Sequence, residues 1–377
     1  MEHAACIKKK KLFALDAVRI AAALFVFLFH SNLLVDYGAL EPFVSVSAIF
    51  MDAFFCLSGF LLYYGYADKT LSSANEIFSF YRRRFVKLYP AYFCVMAAWF
   101  VIHTVLQNDY PLHKNLLIAP VEFLLLQSFF PRSEFVAHNT GTWFVSVIFF
   151  CYFLFPLIKK LVSQLSLKKT IVLMVLLYCL CSGMPFFSYA FGIDSMYFNP
   201  FFRSLEFSIG ILLCRCLLLS NLKISNIKIY FMMPISIFIL FISVSAYVIN
   251  GLPNLWYLQF CFLTLPIFSL QIFLLSCLNN DKVDAFFQKR PIKFLTSLTY
   301  EFFLAQHFCF DLAKQFLTLL SKNMYGGGQN NCIVFLLSFL SCLVISVLIH
   351  FVSEFIKTSV EFVVFSRQGL KQGLRND

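Results

Sequence analysis

Apolar runs of about twenty residues recur from end to end of the chain, separated by short polar stretches in which the charges collect. Ten runs are read, at approximately 12–34, 43–66, 88–106, 141–158, 170–191, 200–219, 229–249, 255–278, 294–318 and 332–356. A bilayer core of about 30 Å needs about 20 apolar residues per helix. The pattern therefore predicts an all-α fold, a polytopic transmembrane helical bundle of about ten spans. One further segment, 116–130, is apolar but spans only about 15 residues and is interrupted by Pro120 and Glu122, too short for a crossing. It is expected to be a re-entrant or interfacial piece of a long outer loop, 107–140.

Composition agrees: 60% of the 377 residues are hydrophobic and 13% charged, whereas an ordinary soluble domain is about a quarter charged. The net charge of +11 raises nucleic acid or anionic lipid as partners, and its distribution decides between them. With the N-terminus inside, 24 of the 30 Lys and Arg residues fall in inner segments and 4 in outer ones, leaving Arg19 and Arg203 within the membrane. That bias follows the positive-inside rule. The basic excess reads as topology, with both termini cytoplasmic, the bilayer as partner and no nucleic acid.

The lysines before the first run resemble a secretory signal, but the run is too long, contains Asp16 and Arg19, and lacks a clear cleavage site. It is expected to be a retained helix. The 13 cysteines fall mostly inside spans without metal-ligand spacing, so they read as small core residues and no metal is expected. About 20 polar residues follow the last run, so the chain is expected to be one integral-membrane domain over 1–377, with a tail at 357–377. Any chemistry then lies within the bundle.

Ionisable residues inside spans point to function unless they are paired or wet. The first run carries Asp16, Arg19 and His30. At 100° per residue, Arg19 and His30 stand about 20° apart around the helix and about 16 Å apart along it. Asp16 can pair with Arg19 at i,i+3. The plainer reading is a snorkelling arginine and a hydrogen-bonded core histidine. Asp52 shares a face with Phe55 and Gly59 and reads either as a carboxylate orienting a histidine or as a paired acid at a packing site.

Four cations, Arg82, Arg83, Arg84 and Lys87, form a ready anion site in the second inner loop, or mark the cytoplasmic side. Arg203 and Glu206 at i,i+3 read as an intramembrane ion pair, structural or catalytic. Tyr300, His307, Asp311 and Lys314 share an arc of one helix, where His307 is either a polar site or a packing residue. Trp143 opens its span at the outer surface, as a stacking platform for a sugar or an aromatic-belt residue.

In order along the chain, six segments resemble the acyltransferase-3 family of bacterial membrane proteins, which includes O-acetyltransferases of lipopolysaccharide, capsule and exopolysaccharide. They are Leu15–Arg19 with His30, the FFCLSGF string from Phe54 to Phe60, and Phe80–Arg84 running to Pro90. Thr142–Ser146 through Pro156, Arg203–Phe207 with Gly210, and Ser297 to His307 complete the set. The resemblance runs from about Leu12 to His350. Lys87 departs from it, standing where the family favours arginine. The appended SGNH hydrolase-like domain of many members has no counterpart here.

The resemblance implies a membrane-bound O-acyltransferase of the bacterial inner membrane. It would move an acyl group, most simply acetyl, from cytoplasmic acetyl-CoA to a hydroxyl of a cell-surface glycan or its lipid-linked precursor. His30 is then the expected general base, Asp52 its orienter and Arg19 a further catalytic residue. Arg19, Arg83, Arg84 and Lys87 are the expected binders of CoA phosphate, and Trp143, His307, Tyr300 and Glu206 the expected acceptor contacts. Ser58 as a transient acyl carrier is a less favoured route. The rival readings are a flippase or exporter of a polysaccharide intermediate, for which the chain lacks visible inverted repeats, and a scaffold in a polysaccharide assembly. The acceptor's identity and the oligomeric state stay open in the sequence.

Overall fold

A computed structural model describes residues 11–32, 34–102, 104, 112–130, 137–191, 196–220, 222–249, 261–323 and 331–373. Among them the chain is helical throughout. In chain order the helices are α1 (Asp16–Ser31), α2 (Phe50–Tyr66), α3 (Ala74–Val101), α4 (Leu112–Phe123), α5 (Trp143–Ser163), α6 (Leu167–Phe191) and α7 (Pro200–Ser220). They continue with α8 (Asn226–Ile249), α9 (Cys261–Cys277), α10 (Asp281–Gln288), α11 (Arg290–Ser297), α12 (Thr299–Asn323) and α13 (Asn331–Gly373).

Among the described residues, six stretches are long and apolar enough to cross a bilayer: Phe13–Ser31, Gly38–Tyr66, Trp143–Ser163, Leu167–Phe187, Asn226–Ser245 and Ile333–Ser359. The bent pair Cys261–Cys277 and Asp281–Gln288 makes a seventh if it counts as one span. Of the expected ten, six or seven meet that length and apolarity among the described residues. The other three runs lie on α3, α7 and α12, which are long helices that carry too many charges to qualify by composition. The short α4, at 12 residues, is about 18 Å long and does not reach across.

The most extensive pairing among the described helices is α2 on α7. Two glycines permit it. A β-carbon at Gly59 would lie 1.9 Å from the Phe207 carbonyl oxygen, and one at Gly210 would lie 1.9 Å from that of Cys56. Small residues that let two backbones touch are the usual means of helix association in lipid, where apolar burial alone supplies little drive. Around this seam α1, α12 and α13 pack through Phe27, whose ring meets Phe302, Phe310, Phe335 and Phe339.

The Arg82–Arg84 cluster belongs to a helix rather than the expected loop. Ser73 caps α3, its hydroxyl accepting from the Glu76 amide at 3.2 Å while Glu76 Oε2 accepts from the Ser73 amide at 3.0 Å. This reciprocal box starts the helix well before the apolar run. The 28 residues of α3 extend about 42 Å, so its basic first half projects past the apolar run that follows it.

Candidate functional site

A cavity of about 490 Å³ opens at the basic end of the bundle, between α1, α2, α3, α5 and the α11–α13 region. Arg19, Arg84, Lys87 and Lys357 line it, against the carboxylates of Glu301 and Glu354. Glu354 is taken by Lys357 at 2.6 Å, and Glu301 by His350 Nδ1 at 3.2 Å. Arg19 pairs with Asp16 at 2.9 Å and keeps 41% of its side chain exposed, so the expected i,i+3 pair forms. Arg84 donates Nη2 to the Tyr66 hydroxyl at 3.3 Å, and its guanidinium lies 5.3 Å from the centre of that ring. No carboxylate pairs with Arg84 among the described residues. Arginine with a free fork beside lysine is suited to a phosphate.

Of the four expected phosphate binders, Arg19, Arg84 and Lys87 are thus brought together. Arg83 is not on the cavity wall, and its Nε donates to the Tyr66 hydroxyl, 3.2 Å away. Tyr66, His350 and Lys357 join the cavity, although the sequence reading did not single them out as site residues. They come from the far end of α2 and from α13, which sequence spacing does not connect with α1.

Tyr300 and Ser58 line the same cavity, and Tyr300 donates its hydroxyl to the Leu88 carbonyl at 3.1 Å, tying α12 to α3.

At the opposite end of α1, an unbroken helix from Asp16 to Ser31, the half-buried His30 meets His307 of α12. Their ring centres are 4.5 Å apart, one edge toward the other's face. A neutral imidazole offers one donor and one acceptor nitrogen, so the pair can serve two proton positions. Gly141 closes this spot, since a β-carbon there would sit 2.1 Å from His307 Cδ2. The sequence reading passed over Gly141, which lies just before the Thr142–Ser146 segment.

Asp52 does not take up the expected role of orienting His30. Its Oδ1 accepts from Arg203 Nη1 at 2.8 Å and its Oδ2 from the Thr264 hydroxyl at 2.5 Å. Arg203 also donates to Glu206 at 2.6 Å and to the Tyr197 carbonyl at 2.7 Å. All three charged residues are buried. Two carboxylates around one guanidinium satisfy each other in a medium without water, which outweighs any pull from a neutral imidazole. Glu206 and Trp143, expected at the acceptor, belong here as well: Trp143 forms one wall of the cage, 5.6 Å from the guanidinium, with Tyr197 at 4.7 Å.

Two other buried groups were not anticipated. His138 Nδ1 lies 2.5 Å from Glu122, and its Nε2 lies 3.0 Å from Asn115 Oδ1. Glu122 also accepts from the His138 amide at 2.7 Å. The acid that interrupts the apolar segment 116–130 therefore anchors the chain ahead of α5. The thiols of Cys181 and Cys261 stand 3.5 Å apart, in a group with Glu206 whose donor atoms lie within 4.8 Å of one another. Arg203 already holds one oxygen of that carboxylate at 2.6 Å, so a metal cation there would compete with the guanidinium.

Comparison with known proteins gives a consistent picture. A family model described as an acyltransferase domain matches residues 12–351. An "Acyltransferase MdmB" of Streptomyces mycarofaciens is 30% identical over 167 residues, 42% of this chain and 42% of that protein. A "Protein 2 in picA locus" of Rhizobium radiobacter is 30% identical over 145 residues, 36% of this chain and 73% of that protein. The match to the Streptomyces protein thus spans less than half of its length. No solved structure matches.

Proposed function

The chain belongs to the acyltransferase-3 family, and from that premise we propose that it is an O-acyltransferase using acetyl-CoA from the cytoplasmic side. The observation that carries the reading is the cavity itself. Three of the expected phosphate-binding cations, with Lys357, stand at its basic mouth, and its other end stops one helical turn short of His307, the neighbour of His30. A donor that is anionic at one end and reactive at the other fits that polarity. Arg19, Arg84, Lys87 and Lys357 hold the phosphates, and the pantetheine arm runs toward the histidines.

His30 then takes the proton of the acceptor hydroxyl while the oxygen attacks the thioester carbonyl. The carbon–sulfur bond breaks, and the CoA thiolate leaves with the proton returned from the imidazolium. His307, in edge contact with His30, sets which imidazole nitrogen faces the acceptor. By the resemblance, the acceptor is a hydroxyl of a cell-surface glycan or its lipid-linked precursor, and the enzyme sits in the bacterial inner membrane.

The test is transfer of label from acetyl-CoA to polysaccharide in membranes carrying the wild type or His30→Ala. His30→Ala is expected to lose about 100-fold or more of the rate, the scale of a general base, with membrane insertion unchanged. Wild-type labelling by the variant would sink the base assignment. A transporter without bond formation predicts no labelled glycan from either protein.

A further inference from the structure

The cavity is closed on the side of the histidines by three phenylalanines. On α2, α5 and α12 the lining residue furthest from the basic mouth is Phe54, Phe144 and Phe303 respectively. Their rings touch pairwise: Phe54 to Phe144 at 5.9 Å between centres, Phe54 to Phe303 at 5.5 Å, and Phe144 to Phe303 at 5.3 Å. These are contact distances for aromatic rings, and Phe144 and Phe303 are buried. Neither His30 nor His307 lines the cavity. His307 follows Phe303 by four residues, about 6 Å along α12, so the plug lies between the cavity and the histidine pair.

We propose that Phe54, Phe144 and Phe303 are the acyl-length filter of the donor cavity. The inference rests on the donor reading above and goes further by naming the residues that limit the length of the acyl group. The rings close the end of the cavity. An acetyl group needs only a small displacement of one ring to reach the histidines. Each added methylene must enter space that the rings occupy, in an interior packed too densely to absorb it without strain.

Two measurements on the full chain in sealed membrane vesicles test the filter. In the first, Ser58→Cys places a thiol on the cavity wall, and a charged methanethiosulfonate reagent is offered from each face. Modification at position 58 is expected from one face only, and from both faces after Phe144→Ala, with the far-side rate rising at least tenfold. Equal far-side modification with and without Phe144→Ala overturns the closure, whatever the donor is. In the second, turnover is compared for acetyl-, butyryl-, hexanoyl- and octanoyl-CoA. The wild type is expected to prefer acetyl over hexanoyl at least tenfold, and Phe144→Ala to raise the hexanoyl-to-acetyl ratio at least tenfold. An unchanged ratio overturns the filter. Phe303→Leu, a milder change of volume, repeats both arms if Phe144→Ala fails to fold. If the wild type turns over no acyl-CoA, the donor reading fails, and the labelling arm alone decides the closure.

Discussion

Two arginines in this bundle occupy opposite kinds of site. Arg203 is buried, gives hydrogen bonds to Asp52, Glu206 and the Tyr197 carbonyl, and lies within 6 Å of the centres of four aromatic rings. Arg84 stands on the wall of an open cavity, donates to the Tyr66 hydroxyl with no carboxylate partner among the described residues, and shares the mouth with three other cations. The first spends its donors inside the protein and is the fixed point of a helix junction. The second keeps donors for something that arrives. An arginine in or beside a span does not declare its role by its presence, and the acceptors it has already found do.

The sharpest way to break that contrast is Arg203→Met. It leaves two buried carboxylates facing each other without a cation, and removing one partner of a buried pair costs about 3–5 kcal/mol. Loss of the monodisperse peak on fluorescence-detected size exclusion is the expected result, and a stable protein would mean that the carboxylates share a proton instead. Gly59→Ala attacks the same junction through its backbone. The new methyl meets the Phe207 carbonyl, and overpacking of this kind costs about 1–3 kcal/mol, read as a lower melting temperature. Arg84→Gln should leave that temperature unchanged and raise KM for acetyl-CoA about tenfold with kcat retained, about 1.4 kcal/mol of uniform binding. A fall in stability instead would place Arg84 with Arg203.

The smallest effect belongs to the start of α3. Ser73→Ala removes the cap and costs about 1 kcal/mol, read as faster amide exchange over 74–78. The backbone amide of Ser73, the Thr70 hydroxyl and the Ser72 amide pull the exposed Glu76 carboxyl down to about 2 from its ordinary 4.5. A depressed carboxyl stabilises the fold above its ordinary value and loses that effect as the pH falls toward 2. Glu76→Gln should therefore flatten the acid limb of α3 fraying and leave exchange at Arg203 unaltered.

Much of the site was legible from local spacing. Asp16 with Arg19, and Arg203 with Glu206, are i,i+3 neighbours on a helix, and helix periodicity alone aligns Arg19 with His30. Glu122 announced itself by breaking an apolar run, although its partner did not. What spacing could not supply was which helix face meets which. Spacing leaves Asp52 between orienting a histidine and pairing at a packing site, and the second holds: α2 offers that carboxylate to α7, where the glycine seam brings the backbones together. The span count turns on composition instead. Charges on α3, α7 and α12 lower the apolarity of those helices, whether buried, as Arg203, Glu206 and Glu301 are, or exposed, as Arg82, Arg83 and Asp311 are.

The amino-acid order by itself determined an all-helical membrane fold and the family to which the chain belongs. Each of these follows from properties that repeat within a few residues: apolar length against bilayer thickness, charge bias and short motifs. Only the tertiary structure decided that His307 is the neighbour of His30, that Lys357 joins Arg84 at one mouth, and that the rings of three phenylalanines meet on the cavity wall. These contacts join residues from separate helices. They depend on how backbones approach and side chains fill space, and no periodicity along one chain encodes that.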